Sequence, residues 1–340
     1  MKIRYWSYNN PFIYPFTISH GTKTHQSCLV VELEHMGIKG YGEAPAISYY
    51  NITVENMIAD IEKKKSFIEK YALTDPERYW HYLHHLLPQN NFLVCALDIA
   101  AWDLFGKMLR QPLYKCWGLD FNTAPLTDYT IGIDTLGVML DKIRNNPWPI
   151  YKIKLGTQDD IGIIKAIRET TASKIRVDAN AGWTLDEALK MTSILKDLNV
   201  EFIEQPLAKD DWEGMKILFQ RSQVPLVADE SCVTEKDVEK CVGHFHGINI
   251  KLTKCSGITP ARRMIKSAKS LGLKVMIGSM NESTIGSAAI AHLLPDVDFA
   301  DADGPLLLAR DTATGLTYVN GKLTVSEAPG LGIQFIMPDG

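Results

Sequence analysis

From about residue 125 onward the chain settles into one rhythm. Short apolar runs alternate with longer amphipathic stretches, eight times over. Strands are expected at 127–133, 151–156, 174–180, 201–206, 225–231, 247–253, 274–279 and 299–304, with helices between them such as 184–198 and 259–271. The strand-to-strand spacing is roughly 25 residues, the repeat of a parallel (β/α)8 TIM-type barrel. An open, doubly wound sheet shares the alternation. Eight units in series with polar residues at every strand end point instead to the closed α/β barrel, over residues 121–315.

Residues 1–120 follow a different pattern, strands first and helices after, which predicts an α+β capping domain. A strand at 13–18 leads into a polar loop, His20-Gly21-Thr22-Lys23-Thr24-His25. The run 28–34 and its return 38–43 are joined by a Met36-Gly37 turn. Ile58, Ile61, Phe67 and Ile68 then recur at helical spacing, and 91–109 reads as a long apolar helix. Residues 316–340 carry a hairpin pattern around Asn320-Gly321 and are expected to return to the cap.

Composition excludes some functions. The net charge is −4, with both signs mixed throughout, so nothing suggests a nucleic-acid partner. The start lacks a signal-like apolar run, and no stretch is suited to span a bilayer. Six scattered cysteines without metal-type spacing read as reduced thiols. The expectation is a cytoplasmic homo-oligomeric enzyme acting on a small molecule, with no membrane partner.

Parallel barrels carry their chemistry at the carboxyl ends of the strands. Along Tyr151-Lys152-Ile153-Lys154-Leu155 the two lysines share one face, and burying an unpaired ammonium costs several kcal/mol, so they need anions. Three consecutive strands supply them: Asp178 in Val-Asp-Ala-Asn, Glu204 in Ile-Glu-Gln-Pro and Asp229 in Ala-Asp-Glu-Ser. Neighbouring strands lie only about 4.8 Å apart, so three such carboxylates repel unless a hard divalent cation such as Mg2+ joins them. Lys154 and Lys251 sit on strands four apart in the ring and approach the axis from opposite sides. A metal between two opposed amines is what is needed to take a proton from a carbon beside a carboxylate and return one on either face, through an enediolate. The base lysine is expected to have a lowered pKa.

The Lys-x-Lys strand, these three acidic strand ends and Lys251 in Asn-Ile-Lys-Leu resemble the enolase superfamily, muconate-lactonising subgroup. The pairing of lysine bases with Mg2+ is a known feature of that superfamily. The resemblance implies Asp178, Glu204 and Asp229 as Mg2+ ligands and Lys154 and Lys251 as the acid/base pair. It also implies that Lys152 helps to hold a substrate carboxylate. Asp301 and Asp303, on one face of the last strand, call for a cationic substrate group, and this Asp-x-Asp resembles the signature of dipeptide epimerases. The same resemblance makes Thr130, Ser279 and Asn281 substrate contacts. Inversion then falls on the C-terminal residue of a dipeptide, with Lys23 in the 20–25 lid facing a glutamate side chain, as in an L-Ala-D/L-Glu epimerase of murein peptide metabolism. Alternatives are an epimerase of hydrophobic dipeptides, an N-acylamino acid racemase or o-succinylbenzoate synthase, and a non-catalytic Mg2+-binding relative. A sugar-phosphate barrel would want a glycine-rich phosphate loop where Asp301 and Asp303 stand.

Overall fold

The computed structural model describes residues 1–18 and 21–337. Strands β1 (Lys2–Ile18), β2 (Gly21–His35) and β3 (Ile38–Pro45) form an antiparallel sheet in that order. Helices then follow, each started by a polar cap: Thr53 before Val54–Lys70, Asp75 before Pro76–Leu86 and Asn90 before Asn91–Met108. The last of these is apolar almost all round, because the cap sheet covers one side and the barrel another. Gly40 and Gly42 allow β3 to lie directly on it. A Cβ at Gly42 would sit 1.9 Å from the Ala96 carbonyl oxygen.

The barrel strands are β4 (Tyr129–Ile131), β5 (Ile150–Lys154), β6 (Lys174–Asp178), β7 (Val200–Glu204), β8 (Leu226–Ala228), β9 (Gly247–Lys251), β10 (Lys274–Gly278) and β11 (Phe299–Asp301). They pair in parallel in sequence order, and a bridge from Thr127 to Ala300 joins the first to the last. Tyr151, Ile153 and Leu155 of the β5 segment face the helices, as the alternation requires, and Lys152 and Lys154 face inward. Deeper in the barrel, Arg176 lies between the Phe202 and Phe299 rings, 5.1 and 5.2 Å from their centroids, and donates to Asp128 at 2.9 Å. Four short strands complete the chain: β12 (Ala313–Thr314), β13 (Leu316–Val319), β14 (Lys322–Val325) and β15 (Gln334–Phe335). The Asn320-Gly321 hairpin is β13–β14, and Phe335 stacks on Tyr41 of the cap sheet.

The cap is stitched to the barrel by buried polar side chains. Asp98 accepts from the Thr259 N–H at 2.9 Å and its hydroxyl at 2.8 Å. Glu43, two residues before the end of β3, accepts the N–H groups of Ser283 and Gly286 in the segment after β10. Among the described residues, no helix is long and apolar enough to cross a membrane.

Two expectations need correction. The polar stretch 20–25 is not a loop over its described part: Gly21 to His25 begins β2, with Thr22 opposite Thr17 and Lys23 opposite Phe16. Alternating β-branched threonines and an antiparallel partner carry the strand to its tip. His20 lies outside the described residues. Most barrel strands also stop two or three residues short of the expected ends, because Gly156, Asn180 and Gln205 turn the chain outward with positive φ.

Candidate functional site

Strand register brings the acidic residues together. Lys154, Asp178 and Glu204 are successive partners across β5, β6 and β7, and Asp229 is the first residue after β8. One carboxylate oxygen from each of Asp178, Glu204 and Asp229 lies within 4.8 Å of the others, and all three residues are buried. The neighbouring charges are lysines. Lys154 Nζ is 2.6 Å from Asp178 Oδ2, and Lys251 Nζ is 2.7 Å from Asp229 Oδ2. Lys152 lies beneath, 2.7 Å from Glu204 Oε2 and 2.8 Å from Asp301 Oδ2.

The electrostatics follow from this packing. Burial opposes ionisation of Asp178 and Asp229, yet the adjacent lysines outweigh it and hold both carboxyls below the usual range. Glu204 moves the other way, raised by burial and by Asp178. Lys251 departs from the expectation of a lowered pKa. Burial disfavours its charge, but Asp229 and Glu204 outweigh burial and raise it.

Around the mouth, the carboxyls of Asp178, Glu204, Asp229, Glu230, Asp301 and Asp303 outnumber the ammonium groups of Lys152, Lys154, Lys251 and Lys254 by two. The surplus shows at Glu230 and Asp303. Burial, with Asp229 and Asp301 as the respective neighbours, pushes each up to about 7. An all-oxygen donor set short of two positive charges fits a hard divalent cation.

These groups open into a cavity between cap and barrel. Lys154, Lys251, Thr130, Ser279, Asn281, Asp301 and Lys23 line it, so most of the sequence-derived residues share one space. Phe16, Ile18, Ile47 and Tyr50 from the cap and Met280 from the barrel add an apolar wall. Lys152, Asp178, Glu204 and Asp303 are not in that lining, so of the three clustered carboxylates only Asp229 reaches it. Lys152 is sealed under the carboxylates, and Asp303 accepts the Thr130 N–H at 2.6 Å. Alternation puts Asp301 and Asp303 on one face only while the strand lasts, and β11 ends at Asp301.

Other residues went unread in the sequence. Asn249 donates to Glu204 Oε1 at 2.7 Å. It lies two before Lys251 on β9, so the period-two pattern contains the signal. Glu230 lines the cavity and is visible only as the neighbour of Asp229. Lys254, one helical turn beyond Lys251, is buried against Asp229. Gln205 bonds the segment that holds Asp229, and nothing in the sequence pattern singles it out.

Comparison with known proteins agrees with this geometry. Residues 2–118 match the family described as mandelate racemase / muconate lactonizing enzyme, N-terminal domain, and residues 139–339 match the enolase C-terminal domain-like family. The chain belongs to the enolase superfamily. Among superfamily members, an L-Ala-D/L-amino acid epimerase of Flavobacterium johnsoniae is 47% identical over 336 residues, covering 99% of this chain and 100% of that one. The substrate-liganded L-Ala-D/L-Glu epimerase of Bacillus subtilis superposes with a TM-score of 0.93 at 30% identity, covering 98% of this chain and 99% of that one. A dipeptide epimerase of Cytophaga hutchinsonii complexed with Mg and D-Ala-L-Val gives 0.92 at 27% identity, over 98% and 95%.

Proposed function

We propose that the protein is a Mg2+-dependent dipeptide epimerase that inverts the α-carbon of the C-terminal residue, using Lys154 and Lys251 as the two acid/base groups. The observation that carries this reading is that the two lysines enter one cavity from strands four apart, with three clustered carboxylates between them. In this reading Asp178, Glu204 and Asp229 hold Mg2+, which supplies positive charge for the substrate carboxylate and takes up the carboxylate charge that otherwise keeps Lys251 protonated.

The chain's own groups do the rest. One lysine, as the neutral amine, takes the α-proton from one face, and the C–H electron pair moves toward the adjacent carboxylate. The opposite lysine, as the ammonium, gives its proton to the other face. After one turnover the two have exchanged protonation states, and the reverse reaction uses them in swapped roles. Asp301, at the cavity wall, receives the substrate α-ammonium. Asp303 stands behind it and fixes the Thr130 backbone, and Lys152 balances Glu204, Asp178 and Asp301 from below. The cap lines one side of the cavity, and the water it displaces there would otherwise weaken the charge interactions inside.

The relatives' substrates and the cavity together favour Ala-Xaa dipeptides, with Lys23 facing a glutamate side chain and the reaction serving cytoplasmic salvage of cell-wall peptides. Six cysteines, all free of disulfide bonds, suit that compartment. A homo-oligomer is part of the same proposal, checked by light scattering. One observation favours a second reading: Phe16, Ile18, Ile47, Tyr50 and Met280 offer an apolar surface suited to hydrophobic dipeptides. A dipeptide library incubated in D2O with Mg2+ and read by mass spectrometry separates the two. Label confined to Ala-Glu supports the first, and label in hydrophobic dipeptides supports the second. No label in any dipeptide would remove the epimerase assignment.

A further inference from the structure

The proton transfer described above uses two of the four buried lysines at the barrel mouth. Lys254 is not one of them, although its side chain is only 1% exposed. Its Nζ donates to both Oδ1 and the carbonyl of Asp229, the latter at 2.6 Å, and to the carbonyls of Cys232 and Asn249 at 3.1 and 3.3 Å. Gln205 grips the same segment from the other side. Its Oε1 accepts the N–H groups of Asp229 and Ser231 at 3.0 and 3.1 Å, and its Nε2 donates to Ser231 Oγ and the Leu207 carbonyl. Gln205 makes these four bonds at a φ of 37°, a conformation disfavoured for a residue with a Cβ. The surroundings must therefore hold it there.

The reason for such a grip lies in the sheet. Asp178 and Glu204 are the last residues of five-residue strands, and backbone pairing fixes both. Asp229 has no such support, because β8 has only three residues and ends at Ala228. We infer that Gln205 and Lys254 are positioning residues that clamp Asp229, thereby setting the affinity for the divalent cation and the aim of Lys251. This rests on the metal-site reading given above. A purely electrostatic role for Lys254 predicts the opposite sign. An ammonium beside a ligand carboxylate repels an incoming cation, so deleting it would tighten metal binding. Loss of a clamp weakens binding instead.

Isothermal calorimetry of Mg2+ into chelator-treated full-length protein tests this for wild type, Lys254→Met and Gln205→Leu, with thermal unfolding reporting that each is folded. Both variants should bind Mg2+ about tenfold more weakly or worse, the range for partners that orient metal ligands. At saturating Mg2+, α-deuterium exchange should fall more for the diastereomer whose exchange is lost in Lys251→Ala than for the other. General destabilisation would not produce that skew. Binding that is unchanged or tighter in Lys254→Met overturns the clamp. If Lys254→Met does not fold, Gln205→Leu decides: weaker binding supports the clamp, and unchanged binding refutes it. A wild type that takes up no Mg2+ would instead remove the metal site on which the inference rests.

Discussion

Replacing Lys23 by methionine keeps the length of the side chain and removes its charge at the wall of the cavity. The ammonium is half-buried, and burial alone lowers its pKa from the ordinary value. Its contact with Gln26 Oε1 is long, 3.5 Å, so the charge is weakly satisfied and available to a substrate carboxylate. A charge-assisted hydrogen bond in such a place contributes about 1.5–3 kcal/mol. At 1.4 kcal/mol per factor of ten, its loss lowers kcat/KM for L-Ala-L-Glu by about 10- to 150-fold. The side chain it would meet is remote from the reacting carbon, so the contact is equally strong in ground and transition states and most of the loss falls on KM. L-Ala-L-Val, which offers no carboxylate there, should be turned over as well as before or better. Steady-state kinetics of wild type and Lys23→Met on both dipeptides measure this. An equal loss for the two, or no loss for L-Ala-L-Glu, would refute Lys23 as the selector.

Two other substitutions test the scaffold. Arg176→Met leaves the buried Asp128 without its cation, at a cost of about 3–5 kcal/mol. With an unfolding entropy of about 2.1 cal/mol/K per residue, that lowers Tm by roughly 4–7 °C in differential scanning calorimetry, and adding Asp128→Asn should restore part of it. His292 is fully buried, accepts the Tyr114 N–H at 3.2 Å, and is pushed by burial down to about 4. The unfolded chain therefore binds a proton there between about pH 6.5 and 4 that the folded chain refuses. The contribution is fully present above that window and fades as pH falls through it, by about 3 kcal/mol in all. Urea unfolding of His292→Phe should show a shallower fall in stability over that range than wild type, and identical pH slopes would contradict the assignment.

Strand periodicity made much of this molecule legible. Residues that alternate along a strand and recur at eight strand ends report both the barrel and the inward direction of Asp178, Glu204, Lys154 and Lys251, because pairing in register does the rest. The signal fades where the strands end. Alternation predicts Asp303 on the same face as Asp301, but β11 stops at Asp301 and Asp303 turns to the Thr130 backbone. Gln205 and Asn281 take up positive φ in the connecting segments, which only the folded surroundings can enforce. Lys152 could be recognised as needing an anion. That it has three, from β6, β7 and β11, depends on the closure of the ring. The polar composition of the β2 tip predicts a loop, and only its partner strand makes it a strand.

The most direct test of a proton relay between opposed lysines is α-deuterium exchange in D2O with saturating Mg2+, measured separately on L-Ala-L-Glu and L-Ala-D-Glu (or on the preferred Ala-Xaa pair). Lys154→Ala and Lys251→Ala should each lose epimerisation. Each should retain exchange on one diastereomer only, and the two variants should retain opposite ones, because each keeps the lysine that faces one side of the α-carbon. Wild-type epimerisation by either variant, or exchange of the same diastereomer by both, would contradict it.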